Sequence, residues 1–275
     1  MSVSNLMKGK RGLVMGVANH HSIAWGIAQA LHDAGAELAF SYQGDLFRKR
    51  VVPLVEPLKP AALIDCDVSK PESIDTAFAE LGKVWDNMDF LVHAIAFSDK
   101  DQLKGRYVDT TPENFRMTMD ISCYSFTAVA QRAEKMMTGG GSMVTLSYLG
   151  AERTMPHYNV MGVAKAALEA SVRYMAEDLG KKNIRVNSIS AGPIKTLAFA
   201  GIADSRYILK WNEYNSPLRR TVTQGEVGNS ALFLLSDLGS AVTGENLHVD
   251  AGYHIIGMKA EDAPDIVVPQ KPDAS

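Results

Sequence analysis

Cysteine is almost missing from this chain of 275 residues, which holds only Cys66 and Cys123. Two thiols cannot make a disulfide framework, so both are expected to be reduced core residues of a cytoplasmic protein. No Cys/His cluster has metal-ligand spacing, and no metal site is expected. Charge of one sign is lacking too. The balance of 28 Lys and Arg against 31 Asp and Glu leaves a net charge of −3, which gives no electrostatic footing for nucleic acid. No apolar run reaches about eighteen residues, so no transmembrane helix and no membrane partner are expected. The N-terminal segment is too short and polar for a secretory signal. Internal repeats, low-complexity blocks and linkers are missing, as is the G-x-S-x-G turn of a nucleophilic serine.

What is present is a regular alternation. Short apolar segments at 11–17, 37–41, 61–64, 89–95, 142–146, 184–189 and 245–249 read as strands. Segments at 22–31, 45–58, 71–85, 112–137, 157–181 and 224–235 read as helices. The strands are apolar throughout rather than alternating, as strands buried on both faces are. The pattern predicts an α/β fold: a single-domain, Rossmann-type, doubly wound parallel sheet with helices on both faces. One unit is expected over 1–258, with a frayed tail at 259–275 rich in Pro, Asp and Ala.

In such a sheet the first strand–turn–helix can hold a pyrophosphate, because a helix start offers free N–H groups and the positive end of its dipole. Here that turn holds Gly16, Ser22 and Ile23, without a G-x-G-x-x-G pattern, so alone it reads better as a plain connection and its value comes from its position. The second strand ends at Gln43, where a neutral side chain can bond a ribose and where no acid excludes a 2′-phosphate. Asp67 and Val68 follow the third strand. They suit an adenine, or equally a capping acid and a core residue. His93 lies inside an apolar strand and reads as a hydrogen-bonded core histidine. Tyr158 and Lys165 stand seven residues apart, so on a helix they share one face about 10 Å apart along the axis. Tyr148 closes a strand. Two phenols and a cation at the mouth of a sheet make a plausible proton-donating site.

At these residues the chain resembles a family. The segments 16–18 with 22–24, 146–153, 158–165, and 185–187 with 190–194 look like the NADH-dependent enoyl-acyl-carrier-protein reductases of bacterial fatty-acid synthesis. These are divergent short-chain dehydrogenases/reductases. Ordinary members of that group carry Y-x-x-x-K, whereas the spacing here is Y-x-x-x-x-x-x-K. The resemblance implies NADH as cofactor, with NADPH not excluded. Gly16, Ser22 and Ile23 would hold the pyrophosphate region, Gln43 the ribose, and Asp67 and Val68 the adenine. Ile95 would lie along the nicotinamide, and Lys165 would bond its ribose. Ile194, Lys195, Thr196, Leu197 and Ala198 would wrap the nicotinamide and pyrophosphate. Ser98 matches a substrate-touching position where alanine is more usual.

The resemblance further implies Tyr158 as donor to a thioester oxygen and Tyr148 either as a shaper of the acyl channel or as a participant in protonation. It implies enoyl-acyl-carrier protein as substrate and partner, and a homotetramer. The segment 197–209, with few polar anchors, is expected to form a lid. Two other readings stay open at this stage: a carbonyl or alcohol oxidoreductase of the same fold, and a non-catalytic nucleotide-binding protein.

Overall fold

The computed structural model describes residues 5–196, 199 and 205–266. In the first strand, β1 (Arg11–Met15), every residue after Arg11 is buried, as a central strand requires. It is joined by β2 (Glu37–Tyr42), β3 (Ala62–Asp65), β4 (Phe90–His93), β5 (Gly141–Ser147), β6 (Ile184–Ala191) and β7 (Asn246–Val249). The seven form one sheet in the order β3-β2-β1-β4-β5-β6-β7, and every neighbouring pair is parallel. The chain reverses its direction of travel across the sheet between β1 and β4. That is where an open parallel sheet forms a crevice at its C-terminal edge.

Helices α1 (Ile23–Asp33), α2 (Gly44–Val55), α3 (Pro71–Leu81), α4 (Pro112–Met119), α5 (Ser125–Met136), α6 (Asn159–Gly180), α7 (Ser205–Asn215) and α8 (Gln224–Leu235) connect the strands. Two apolar cores result, one on each face of the sheet. α3, α5 and α6 bury Ile74, Phe126 and Leu168 on one face; α1, α2 and α8 bury Ile27, Val51 and Ala231 on the other. Leu168, Val172, Met175 and Leu179 form the buried stripe that the spacing predicts for α6. α1 and α8 touch backbone to backbone, because a β-carbon on Gly26 would lie 2.6 Å from the Gln224 carbonyl oxygen.

Three expectations change. The continuous helix at 112–137 is interrupted by a π-helical turn, Asp120–Tyr124. Ser122 bonds the Phe97 backbone at both its N–H and its carbonyl, each at 2.9 Å, and Ser125 donates to the Ile121 carbonyl at 2.7 Å. Side chains with backbone partners of their own open the helical ladder. Tyr158 stands just ahead of α6 rather than inside it. His157 and Asn159 flank it at φ 58° and 39°, in the left-handed region where non-glycine residues store strain. Finally, the chain is docked over 259–266, not frayed. Ala260 N–H donates to Asn215 at 2.9 Å, Arg219 pairs with Asp262 at 2.8 Å, and Ala263 is buried. Residues 267–275 lie outside the described residues.

Candidate active site

The C-terminal ends of the first six strands open into one cavity of about 720 Å³. Its walls bring together Gly16, Ser22, Ile23, Gln43, Asp67, Val68, Ile95, Ser98, Tyr148, Tyr158, Lys165, Ile194 and Thr196. Lys195 is exposed and does not line it. Leu197 and Ala198 lie outside the described residues, as does most of the first half of the expected lid. Within that span, Phe199 lines the cavity and 205–209 belong to α7.

At one end the backbone does the work. Gly16 has φ 101°, and a β-carbon there would sit 2.1 Å from the Ala94 carbonyl oxygen, so no other residue fits. Ser22 turns its hydroxyl back to accept from the N–H groups of Ala18 and Asn19 at 3.0 and 3.1 Å. That closes the loop but leaves α1 without a side-chain cap and with no acid in its first turn. The helix start therefore faces the cavity as an open anion site. Asp67 is occupied. It accepts from the Ser69 hydroxyl at 2.7 Å and from Lys70 at 3.0 Å, and it also bonds Gln43. Partial burial pushes its carboxyl up, but these bonds outweigh that and hold it below the usual range. Arg48, Lys49 and Arg50 stay exposed on α2, and none lines the cavity.

At the other end stand the phenols and the cation. Lys165 is buried and donates from Nζ to the Leu146 carbonyl at 2.7 Å. Burial lowers its pKa to about 8, against the opposing pull of the neighbouring Cys123 and Glu169. The Tyr148 and Tyr158 rings meet edge to face with centroids 5.0 Å apart. Burial pushes both phenols above their ordinary range, which keeps their protons in place as donors. The Tyr148 hydroxyl is buried and has no hydrogen-bond partner among the described residues. A buried donor left unpaired is costly and marks a place for a ligand group.

Ser98 is less free than its position suggests. Its hydroxyl accepts from Thr118 at 2.8 Å and reaches Asn114 at 3.3 Å, which fastens the polar insert to α4. Sequence reasoning missed the apolar wall made by Phe97, Leu103, Ile121, Met161 and Phe199. Apolar residues that line a channel carry no pattern distinct from core. Leu103 had one signal, an apolar residue alone in a polar insert. His93 is fully buried between Ser125 at 2.9 Å and Thr145 at 3.4 Å, and it does not line the cavity.

A family model described as enoyl-(acyl carrier protein) reductase matches residues 16–254. The enoyl-[acyl-carrier-protein] reductase [NADH] 1 of Rhizobium meliloti is 66% identical over 96% of this chain and 97% of its own length. A crystal structure of the reductase from Anaplasma phagocytophilum in complex with NAD superimposes with a TM-score of 0.92 at 58% identity, covering 97% of this chain and all of that one. The Bacillus cereus reductase with NADP+ and indole naphthyridinone gives 0.91 at 51% identity, over 92% of this chain and 100% of that one. With a match across nearly all of its strands and helices, the chain belongs to the enoyl-(acyl carrier protein) reductase family.

Proposed function

We propose that this protein reduces the C2–C3 double bond of trans-2-enoyl-acyl-carrier-protein thioesters with NADH, the last step of each fatty-acid elongation cycle. The observation that carries the reading is the meeting of Tyr148, Tyr158 and Lys165 in the same cavity as the open start of α1. The donor set fits a dinucleotide, since an uncapped helix start and an unpaired buried phenol both await partners. Gly16, Ser22 and Ile23 would hold its pyrophosphate, Gln43 and Asp67–Val68 the adenosine, and Ile95, Lys165, Ile194 and Thr196 the nicotinamide end.

The cofactor, when bound, supplies a hydride to C3 of the substrate. The protein's part is to stabilise the negative charge that then develops on the thioester oxygen. Tyr158, protonated and desolvated, donates a hydrogen bond there, and such a bond is stronger in the transition state than in the ground state. Lys165 orients the ribose and adds a positive potential. The enolate then takes up a proton at C2, drawn ultimately from water, which completes the reduction; Tyr148 offers a second phenol on that side. The apolar wall of Phe97, Leu103, Met161 and Phe199 suits an acyl chain. Arg48, Lys49 and Arg50 are exposed on α2 and stay out of the cavity lining, which favours NADH over NADPH. The working form is a cytoplasmic homotetramer, and no described helix is long and apolar enough to cross a membrane.

The test is NADH oxidation in the presence of crotonyl-CoA and of a longer enoyl thioester. Turnover is expected with both. The Tyr158→Phe variant should lose about a hundredfold or more in kcat, with a small change in NADH affinity. No oxidation with either substrate, or full activity in Y158F, would sink the reading. Faster turnover of 3-oxo thioesters would favour a carbonyl reductase instead.

A further inference from the structure

Leu146, Ser147 and Tyr148 are consecutive at the end of β5, and two of them are clipped to α6. The Leu146 carbonyl accepts from Lys165 at 2.7 Å. The Ser147 hydroxyl donates to the carboxylate of Glu169, which lies four residues, about one helical turn, beyond Lys165. Ser147 and Glu169 are 5% and 8% exposed. No lysine or arginine pairs with this carboxylate among the described residues; its partners are the Ser147 hydroxyl and the Asn246 side chain. Burial, and less strongly the nearby Glu152 carboxylate, push its carboxyl up, while the Ser147 and Asn246 bonds and the nearby His248 work against the rise. A buried carboxylate with no ion-pair partner adds little to stability. This one bonds the residue wedged between the Lys165 acceptor and Tyr148.

Lys165 has only one Nζ to share. If it turns towards a ribose, its bond to Leu146 weakens, and among the described residues Ser147–Glu169 is the side-chain hydrogen bond that still ties the end of β5 to α6. We propose that Glu169 is a positioning residue: acting through Ser147, it fixes the strand end that carries Tyr148 against the helix that carries Lys165. The inference rests on the reductase reading of Tyr148, Tyr158 and Lys165.

The experiment compares the full-length protein with S147A, E169A, E169Q and the double variant S147A/E169A. It measures kcat with NADH and crotonyl-CoA, and NADH affinity by fluorescence titration without substrate. S147A and E169A should each lower kcat about tenfold through misplacement of the phenol, while the NADH dissociation constant stays within about threefold. The double variant should be no worse than either single one, because both remove the same bond. E169Q keeps an oxygen that accepts from Ser147 and should stay within about threefold of the parent kcat. Parent-like kcat in E169A would overturn the inference. So would E169Q as impaired as E169A, losses that multiply in the double variant, or NADH affinity that falls in step with kcat. A parent protein that binds NADH but reduces no enoyl thioester removes the reading beneath the inference, and is told apart from these outcomes before any variant is made.

Discussion

At the scale of single residues, burial decides which groups can change charge. His93 sits in β4 between Met15 of β1 and Thr145 of β5, with no exposure. Ser125 donates its proton to the Ile121 carbonyl, so the ring donates from Nε2 to the Ser125 hydroxyl. Desolvation lowers its pKa to about 3, and the charge of Lys165 adds to the effect. The unfolded chain therefore binds a proton that the folded chain refuses between about pH 6.5 and pH 3. Its share of the stability is full above pH 6.5 and is lost as pH falls, at about 1.4 kcal/mol per pH unit for one proton. The H93Q variant lacks this site. Urea unfolding of both proteins at pH 7, 6 and 5 should show the parent losing stability faster than H93Q. Parallel losses would mean that His93 accepts its proton in the folded state. The apolar run around His93 already marked it as core in the sequence. Its two hydroxyl partners lie 32 and 52 residues further along the chain, and only the fold pairs them with it.

At the scale of elements, the placement of Tyr158 depends on a short turn that the sequence does not announce. A 3-10 turn, Leu149–Ala151, follows β5 and lies beneath the start of α6. A β-carbon on Gly150 would sit 2.3 Å from the Tyr158 ring, and one on Gly162 would sit 2.6 Å from the Gly150 carbonyl oxygen. The phenol ring thus rests on a bare stretch of backbone. In G150A the ring must move at its near end, where it has least freedom. We expect kcat to fall about a hundredfold, with NADH affinity changed far less; a parent-like kcat would show that the ring has room to shift. The seven-residue spacing identified the pair, but periodicity could not show that Tyr158 precedes the helix, since that depends on the left-handed backbone at His157 and Asn159. The π-helical turn was hidden for the same kind of reason. A Pro112–Met136 stretch with ordinary amphipathic spacing carries no mark of where side chains will take over backbone bonds. Strands β1 to β6, by contrast, were legible because central parallel strands are apolar on both faces. Lys195 drew attention through its neighbours, yet only the course of the chain after β6 decides which way it points.

At the scale of the whole molecule, two surfaces are poorly finished for a lone chain. On one face of the sheet, Tyr124 at the start of α5 and Tyr174 on α6 are 58% and 77% exposed. Beyond the far edge, Leu218, Ile255 and Met258 are also exposed, the last at 86%. Between those residues and the sheet, β7 is an edge strand whose residues are all only partly buried. Among the described residues nothing pairs with the outer side of β7, and such an edge beside apolar side chains invites pairing with another chain. Two distinct patches of this kind match what a tetramer of dihedral symmetry needs, namely two self-complementary contacts about different two-fold axes. Sedimentation velocity at micromolar concentration should therefore give four chains of 29.9 kDa each. The variant Y124E/Y174E places charge on the α5–α6 face only, so it should fall to dimers held by the β7 side, while the cavity, built within one chain, still binds NADH. A parent protein that sediments as a monomer would refute the assembly. A double variant that remains tetrameric would move the interface away from α5 and α6.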